Sequence, residues 1–399
     1  MEGRTNSRSQ HEVSRRQTLS ALGATGTAVS GLAGVPTAVV GDSGREKRIT
    51  ILAAGEESHE TVSVSKRWYK HKQQALKVKE ALSNRHSDER DLHSVGIERG
   101  GRTIDGLRSK RVLASFVPGA SQEAKDAVPS SVEGIPVRTE ESERPEQTDC
   151  YTGASYDGDN DTDEDVYGGR AVRGVKNIND GDSTFTTVEK ATLCCRVYLD
   201  GTKYIMGCRH MLNGDNCDGL DVSNVGWGRL NNSGTVAHRG DAVEAYQKFD
   251  MALMNLKFPN SDEILYDIAD EPSGGIVGRV TGDGIDYLQA DSTPDFIVRK
   301  RGRTTCKTSG TIQEARKDVS PCIGVTEQNQ IISSAEQKQG DSGGPVYIHR
   351  SDLSDPDDLY LLHIATRKTP DNGYAQGSSA NVMNQQENVT FGGNPYNGQ

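Results

Sequence analysis

Between Gly168 and Phe391 the chain is a run of short apolar stretches, each broken within a few residues by Gly, Asn or Asp. That punctuation leaves no room for long amphipathic helices and suits short strands joined by tight turns. Ala191–Tyr198, Lys203–Gly207, Met251–Leu256, Asp295–Arg299, Thr311–Ala315, Gln330–Ala335, Pro345–His349 and Leu359–Ile364 read as strands. Asp200-Gly201, between the first two, is a hairpin signal. With 33% apolar residues and 44 glycines in the chain, this region is expected to be all-β. Its length suits a pair of β-barrels.

Residues 41–149 have a different character. Arg48–Ala53, Glu60–Ser65, Arg111–Val117 and Gly134–Thr139 read as strands. Lys66–Ser83 reads as a helix with Trp68, Leu76, Val78 and Leu82 as packing residues, and Ser121–Val128 as a helix capped by Ser121. The segment is therefore expected to be a small α+β unit in front of the β domain, either a pro-segment or a lasting accessory domain. Residues 150–167 form an acidic linker around Asp157–Asp165, the β domain runs over 168–392, and 393–399 form a tail. Charge divides along the same line. Residues 151–399 hold 36 acidic and 23 basic residues, whereas 1–150 hold 21 and 23. A net charge of −11 argues against nucleic acid as a partner.

The first 40 residues carry Arg15-Arg16 ahead of an uncharged stretch of small and apolar residues, Leu19 to Val40. This pattern is similar to a twin-arginine export signal and implies a secreted protein. No other stretch is long and apolar enough to span a bilayer, so no membrane span is expected after signal removal. Export would let some of the seven cysteines pair.

Gly340-Asp341-Ser342-Gly343-Gly344-Pro345 is the most informative string. A serine hydroxyl needs a base within hydrogen-bond reach. Attack by it also creates an oxyanion that backbone amides can hold. Glycines on both sides let those amides turn toward one point. The string resembles the nucleophile loop of trypsin/chymotrypsin-like serine peptidases. The resemblance implies a two-barrel fold, peptide-bond hydrolysis through an acyl-enzyme, Ser342 as nucleophile, and the amides of Gly340 and Ser342 as the oxyanion hole. It implies no cofactor, no metal, and polypeptides as substrates.

The same template orders its triad His, Asp, Ser along this fold. Upstream, the apolar run Tyr204-Ile205-Met206-Gly207-Cys208-Arg209 ends at His210, which resembles the family's catalytic-histidine segment. Asp250-Met251-Ala252-Leu253-Met254 resembles the segment that carries its carboxylate. An acid heading an apolar run is drawn inward and needs a partner there, which the histidine N–H supplies. His238, Asp221 and Asp241 lack such flanking runs and read as surface residues.

Further expectations follow from the resemblance. Glu336, six residues before Ser342, would lie at the base of the primary specificity pocket and favour Arg or Lys there. Ala365 and Thr366 would lie on the strand that binds substrate backbone. Cys195 would bridge to Cys208 or Cys217; Cys306 and Cys322, independently of the resemblance, flank a likely hairpin that a bridge could close. Tyr167-Gly168-Gly169-Arg170-Ala171-Val172 offers no Ile-Val-like start for a new N-terminal amine, so activation without that switch is expected. The competing reading is a catalytically inactive homologue that binds peptides or surfaces. It is motivated by Cys208, Arg209 and Met211, which replace the residues usual around the family's histidine.

Overall fold

A computed structural model describes residues 46–55, 57–86, 91–142, 146–147, 166–177, 186–213, 220–230, 236–256, 264–268, 275–291, 296–322, 325–350 and 358–392. The proposed signal, most of the acidic linker, the tail, Cys150, Cys217 and the side chain of Cys322 lie outside these residues.

The N-terminal part opens with the hairpin β1 (Glu46–Ala54) and β2 (Glu57–Ser65) and passes into helix α1 (Lys66–Arg85). Ser65 caps α1, its Oγ accepting from Trp68 N at 3.0 Å. The helix buries Trp68, Ala75, Val78 and Leu82. β3 (Leu92–Ile104) and β4 (Leu107–Phe116) follow as a hairpin turning at Asp105-Gly106, both with positive φ. Then come α2 (Gln122–Asp126), capped by Ser121, β5 (Ser131–Val132), β6 (Ile135–Glu141) and the two-residue β7 (Glu146–Gln147). The expected α+β content is present. β3 was not foreseen, because Glu98-Arg99-Gly100-Gly101-Arg102 masks its alternation.

After β8 (Val166–Gly168), the strands β9 (Ala171–Lys176), β10 (Thr186–Leu199), β11 (Thr202–Cys208), β12 (Val225–Leu230), β13 (Val236–Tyr246) and β14 (Met251–Met254) close a six-stranded antiparallel barrel. Its circuit is β10-β11-β14-β13-β12-β9 and back to β10. The β10–β11 turn is Asp200-Gly201 as expected, both residues left-handed, which matches the twist of the flanking strands. Val172, Leu193, Ile205, Leu212, Trp227 and Met254 fill the interior. The helical turn α3 (His210–Asn213) leaves the end of β11.

β15 (Ile264–Ile268), β16 (Gly275–Val280) and helix α4 (Gly282–Ala290) lead to the second barrel. It is built from β17 (Phe296–Gly302), β18 (Cys306–Gly310), β19 (Ile312–Cys322), β20 (Val325–Glu336), β21 (Pro345–Arg350), β22 (Asp358–Ile364), β23 (Arg367–Lys368) and β24 (Tyr374–Ser378). One half runs β18-β17-β21-β22 and the other β19-β20-β24-β23. β18 turning into β19 joins them at one corner, and a bridge between His363 and Ser379 joins them at the other. Helix α5 (Ala380–Glu387) and β25 (Thr390–Phe391) return the chain to the first barrel, where β25 pairs with β10.

The N-terminal part continues both halves of the second barrel. β1 pairs with β16, which pairs with β22, and β3 pairs with β19. Ile49, Ile51, Leu52, Val64 and Trp68 share one apolar core with Val298, Ile312, Ile331, Val346 and Leu362. The chain from residue 46 is thus an all-β, two-barrel body with an α+β segment built onto its sheets. Among the described residues, no helix is long and apolar enough to cross a membrane.

Candidate active site

β11 ends at Cys208, and the next turn places His210 against the loop that enters β14. That loop tightens into a 3-10 turn over Gln247–Phe249 and leaves Asp250 in the left-handed region at φ 50°. A non-glycine residue adopts this conformation at a cost, which its contacts must offset. Asp250 Oδ1 accepts from the His210 amide at 3.0 Å, and Oδ2 lies 2.6 Å from His210 Nδ1. The Arg209 amide donates to the Asp250 carbonyl at 3.0 Å. Three contacts therefore lock the acid, the imidazole and the backbone between them.

Both side chains are withdrawn from water. Burial alone would pull the His210 imidazole down. The Asp250 charge and hydrogen bond, with Cys208 adding to them, outweigh it and hold the imidazole well above its usual value. Cys208 is itself buried, and burial pushes its thiol up.

The nucleophile loop abuts the same strands. Thr192 on β10 donates its amide to the Ser342 carbonyl and its hydroxyl to the Gly340 carbonyl, both at 2.8 Å. Gly343 has φ +90°, and a Cβ there would lie 2.1 Å from the Thr192 carbonyl oxygen and 3.1 Å from the Cys208 amide nitrogen. Only glycine permits this approach, which seats the loop on the strand that delivers His210. Ser342 Oγ donates to the Thr366 carbonyl at 3.2 Å. His210 Nε2 is buried without a hydrogen-bond partner among the described residues, so the serine–histidine bond is not formed in this state.

Asp341 anchors the loop from beneath. Lys300 Nζ lies 2.7 Å from its Oδ2, and both side chains are fully buried. The amides of Thr304, Thr305 and Lys338 and the Thr305 hydroxyl also donate to this carboxylate. Burial would raise its pKa, but Lys300 and the other donors overcome that and hold the carboxyl below its usual range. The basic run Lys300-Arg301 thus contains a buried counter-ion.

The structure brings His210, Asp250, Gly340 and Ser342 together, with Ala365 and Thr366 beside them. The Ala365 carbonyl accepts from the Gly343 amide at 2.6 Å, and its own amide donates to Gly344 at 2.9 Å. Glu336 does not join them. Alternation at the end of β20 buries Ala335 and Gln337 and turns Glu336 and Lys338 outward, where they form an exposed ion pair at 2.7 Å. Glu336 is therefore not the floor of a pocket. Gln337 is the buried neighbour, and neither atom of its carboxamide has a partner among the described residues.

The expected bridges are also absent. Cys195, Cys208 and Cys306 are free thiols. Cys195 packs into the core between the barrels, whereas Cys208 packs inside the first barrel. Cys306 faces Gly302 across the β17–β18 turn, while Cys322 stands opposite Val325 at the end of the β19–β20 hairpin. His238 pairs with Asp241, and Asp221 caps a turn through the Ser223 amide, so these alternatives are engaged elsewhere.

One buried ion pair near the triad has no signal in the sequence. Glu327 and Arg367 are buried and form an ion pair. Both lie in polar stretches that gave no sign of burial; only the register of β20 and β23 reveals it.

No protein-family model matches the chain, and no curated protein matches it. Among solved structures it is similar to Thermobifida fusca protease A, with 16% identity over 57% of this chain and 98% of that one, at a TM-score of 0.38. It is also similar to a glutamic acid specific serine protease (17%, 56% and 99%, 0.37) and to Nocardiopsis protease (15%, 57% and 98%, 0.36). At such scores the fold is read from the strand pairings above.

Proposed function

We propose that this chain is an exported serine endopeptidase. Ser342 is the nucleophile, His210 the general base, Asp250 the residue that orients it, and the amides of Gly340 and Ser342 the oxyanion hole. The observation that carries the reading is the paired contact of Asp250 with the amide and Nδ1 of His210, beside a Gly-Asp-Ser-Gly-Gly loop. A carboxylate on Nδ1 leaves Nε2 as the free base, the tautomer that proton abstraction from a serine requires.

In the proposed reaction, His210 Nε2 takes the Ser342 proton as Oγ bonds to the scissile carbonyl carbon. The two amides hold the oxyanion. The protonated His210 then gives its proton to the departing amine as the C–N bond breaks, leaving an acyl-enzyme. Water attacks the acyl group, His210 takes its proton, and Ser342 is restored.

The described state suits a latent form of this enzyme. Ser342, His210 and Asp250 are each 0% exposed. β7, at the end of the N-terminal part, pairs antiparallel with β23, Gln147 opposite Arg367 and Glu146 opposite Lys368. β23 directly follows Thr366, so β7 lies where substrate backbone is proposed to bind. On this reading residues 41–149 act as a pro-segment that holds the site closed. Casein hydrolysis and organophosphonate labelling by the purified chain, beside Ser342→Ala, test the proposal. Loss of both in the variant supports it. Folded protein that shows neither activity before and after cleavage of the segment would favour the peptide-binding homologue.

A further inference from the structure

The second-barrel face turned toward the triad is charged and polar. The ladders place Gln330 opposite Ser378, Ile332 opposite Gln376, and Gln376 opposite Arg367. On β19, Lys317 and Val319 face Gln330 and Glu327, with the extra residue absorbed near left-handed Asn329. Glu327, Gln330, Ser378, Gln376 and Arg367 therefore share one face. This face meets the turn that presents Asp250. Gln330 Nε2 donates to Ser378 Oγ at 2.6 Å, and Ser378 Oγ donates to the carbonyl of Phe249 at 2.8 Å.

Arg367 Nη2 donates to Glu327 Oε1, and the two residues are 2% and 0% exposed. Burial pushes the Glu327 carboxyl up to about 7. Arg367 opposes that rise, Asp250 adds to it and His210 reduces it, so the pair lies within the electrostatic reach of the catalytic dyad.

β23 is two residues long and pairs with β24 through Arg367 opposite Gln376 and Lys368 opposite Ala375, while the flanking Thr366 and Thr369 amides donate to the Gln376 and Tyr374 carbonyls at 2.8 and 2.9 Å. Such a short ladder is weak by itself. Its other edge nonetheless accepts an extended segment, as its pairing with β7 demonstrates, and the residue before it supplies the carbonyl that meets Ser342 Oγ. A charge-assisted hydrogen bond between two buried groups, here from Arg367 Nη2 to Glu327 Oε1, is a directional tether. It ties β23 across the sheet to β20, which is anchored in the ladder with β19.

We infer that Glu327 and Arg367 are a positioning pair for extended substrates. By fixing β23 to β20, the pair sets the strand edge along which the residues preceding the scissile bond align. This inference rests on the peptidase reading above. It goes beyond that reading by assigning the register of long peptides to two residues that touch neither the reacting atoms nor the triad's hydrogen bonds. The consequence is selective. A substrate with a single residue before the scissile bond scarcely uses β23, whereas a tetrapeptide depends on it.

The test compares kcat/KM for a tetrapeptide amide with that for a single-residue ester ending in the same residue. The protein is the full chain as it matures, as wild type, Arg367→Lys, Arg367→Gln and the double variant Glu327→Gln with Arg367→Gln. In Arg367→Gln the tetrapeptide-to-ester ratio is expected to fall roughly 10- to 100-fold, mostly through KM, as expected for a misplaced binding edge. Arg367→Lys should restore part of it. The double variant leaves no stranded charge and keeps a hydrogen bond, so it should fold even if the single variant does not, and it too should show a reduced ratio. An unchanged ratio in every variant that folds, or a loss equal on both substrates, overturns the inference. A wild type that hydrolyses neither substrate overturns the peptidase reading, and this inference with it.

Discussion

Lys300 and Asp341 form an ion pair at 2.7 Å with neither side chain exposed, directly beneath Ser342. An acid next to the nucleophile needs a cation to hold the loop. Among the described residues that cation is Lys300 on β17. On the proposed peptidase reading, this pair would allow activation without an amine switch, the expectation drawn from Tyr167–Val172.

Lys300→Met should therefore damage both the fold and the site. Removing one partner of a buried pair strands the other, at a cost of about 3–5 kcal/mol. Denaturant unfolding should show a loss of that order, and any folded fraction should label slowly with an organophosphonate. A variant as stable and reactive as the wild type would refute the role given to the pair.

The raised His210 pKa predicts an alkaline enzyme. The base works only when neutral, so kcat/KM should climb with pH through a value above the ordinary histidine range. Asp250→Asn removes the charge that raises it, so the acid limb should move to lower pH. In the same variant kcat should fall by about 10⁴-fold, because the wrong tautomer is favoured. A pH–rate profile of both proteins checks the direction.

His363 predicts sensitivity to acid. Its ring is buried between Ser333 and Ile364, and burial pushes it down to about 3, with the Ile364 carbonyl opposing and Lys300 assisting. The folded state keeps this ring neutral, whereas the unfolded chain takes up a proton below about 6.5. Stability is thus fully present above pH 6.5 and declines as pH falls toward 3, by about 1.4 kcal/mol per unit. His363→Gln should flatten that decline in unfolding experiments run across this window.

Cleavage of the chain between residues 147 and 166 should activate it without releasing the N-terminal part. β7 would be free to leave β23, while β1 and β3 remain paired with β16 and β19 and share the core around Trp68. The expected outcome is a rise in peptidase activity with both pieces eluting together on gel filtration. An intact chain of equal activity would argue that β7 does not gate the site.

Much of this architecture was legible in the sequence, and its failures share a cause. Short apolar runs broken by Gly, Asn and Asp located three of the six strands of the first barrel and five of the eight of the second, and Ser121 begins helix α2 as the expected N-cap. His210, Asp250 and Ser342 stood out because each borders an apolar run or glycine pair that local chemistry explains. What local patterns could not show was pairing between distant segments. β3 hid its alternation behind charges, α4 and α5 are short helices within a β-rich stretch, and β1 joining β16 is a contact across more than two hundred residues. Glu336 was misplaced because one step along a strand reverses its face. Glu327 and Arg367 were missed because each looks solvated until the register buries both.

The most direct test of the central claim is titration of the cleaved chain with a fluorescent organophosphonate, beside Ser342→Ala and His210→Ala. The account predicts one label per wild-type molecule, on Ser342, with casein hydrolysis lost in proportion to labelling. It also predicts no label in Ser342→Ala and greatly slowed labelling in His210→Ala. Labelling that persists in Ser342→Ala, or folded wild-type protein that neither labels nor cleaves casein, would contradict it.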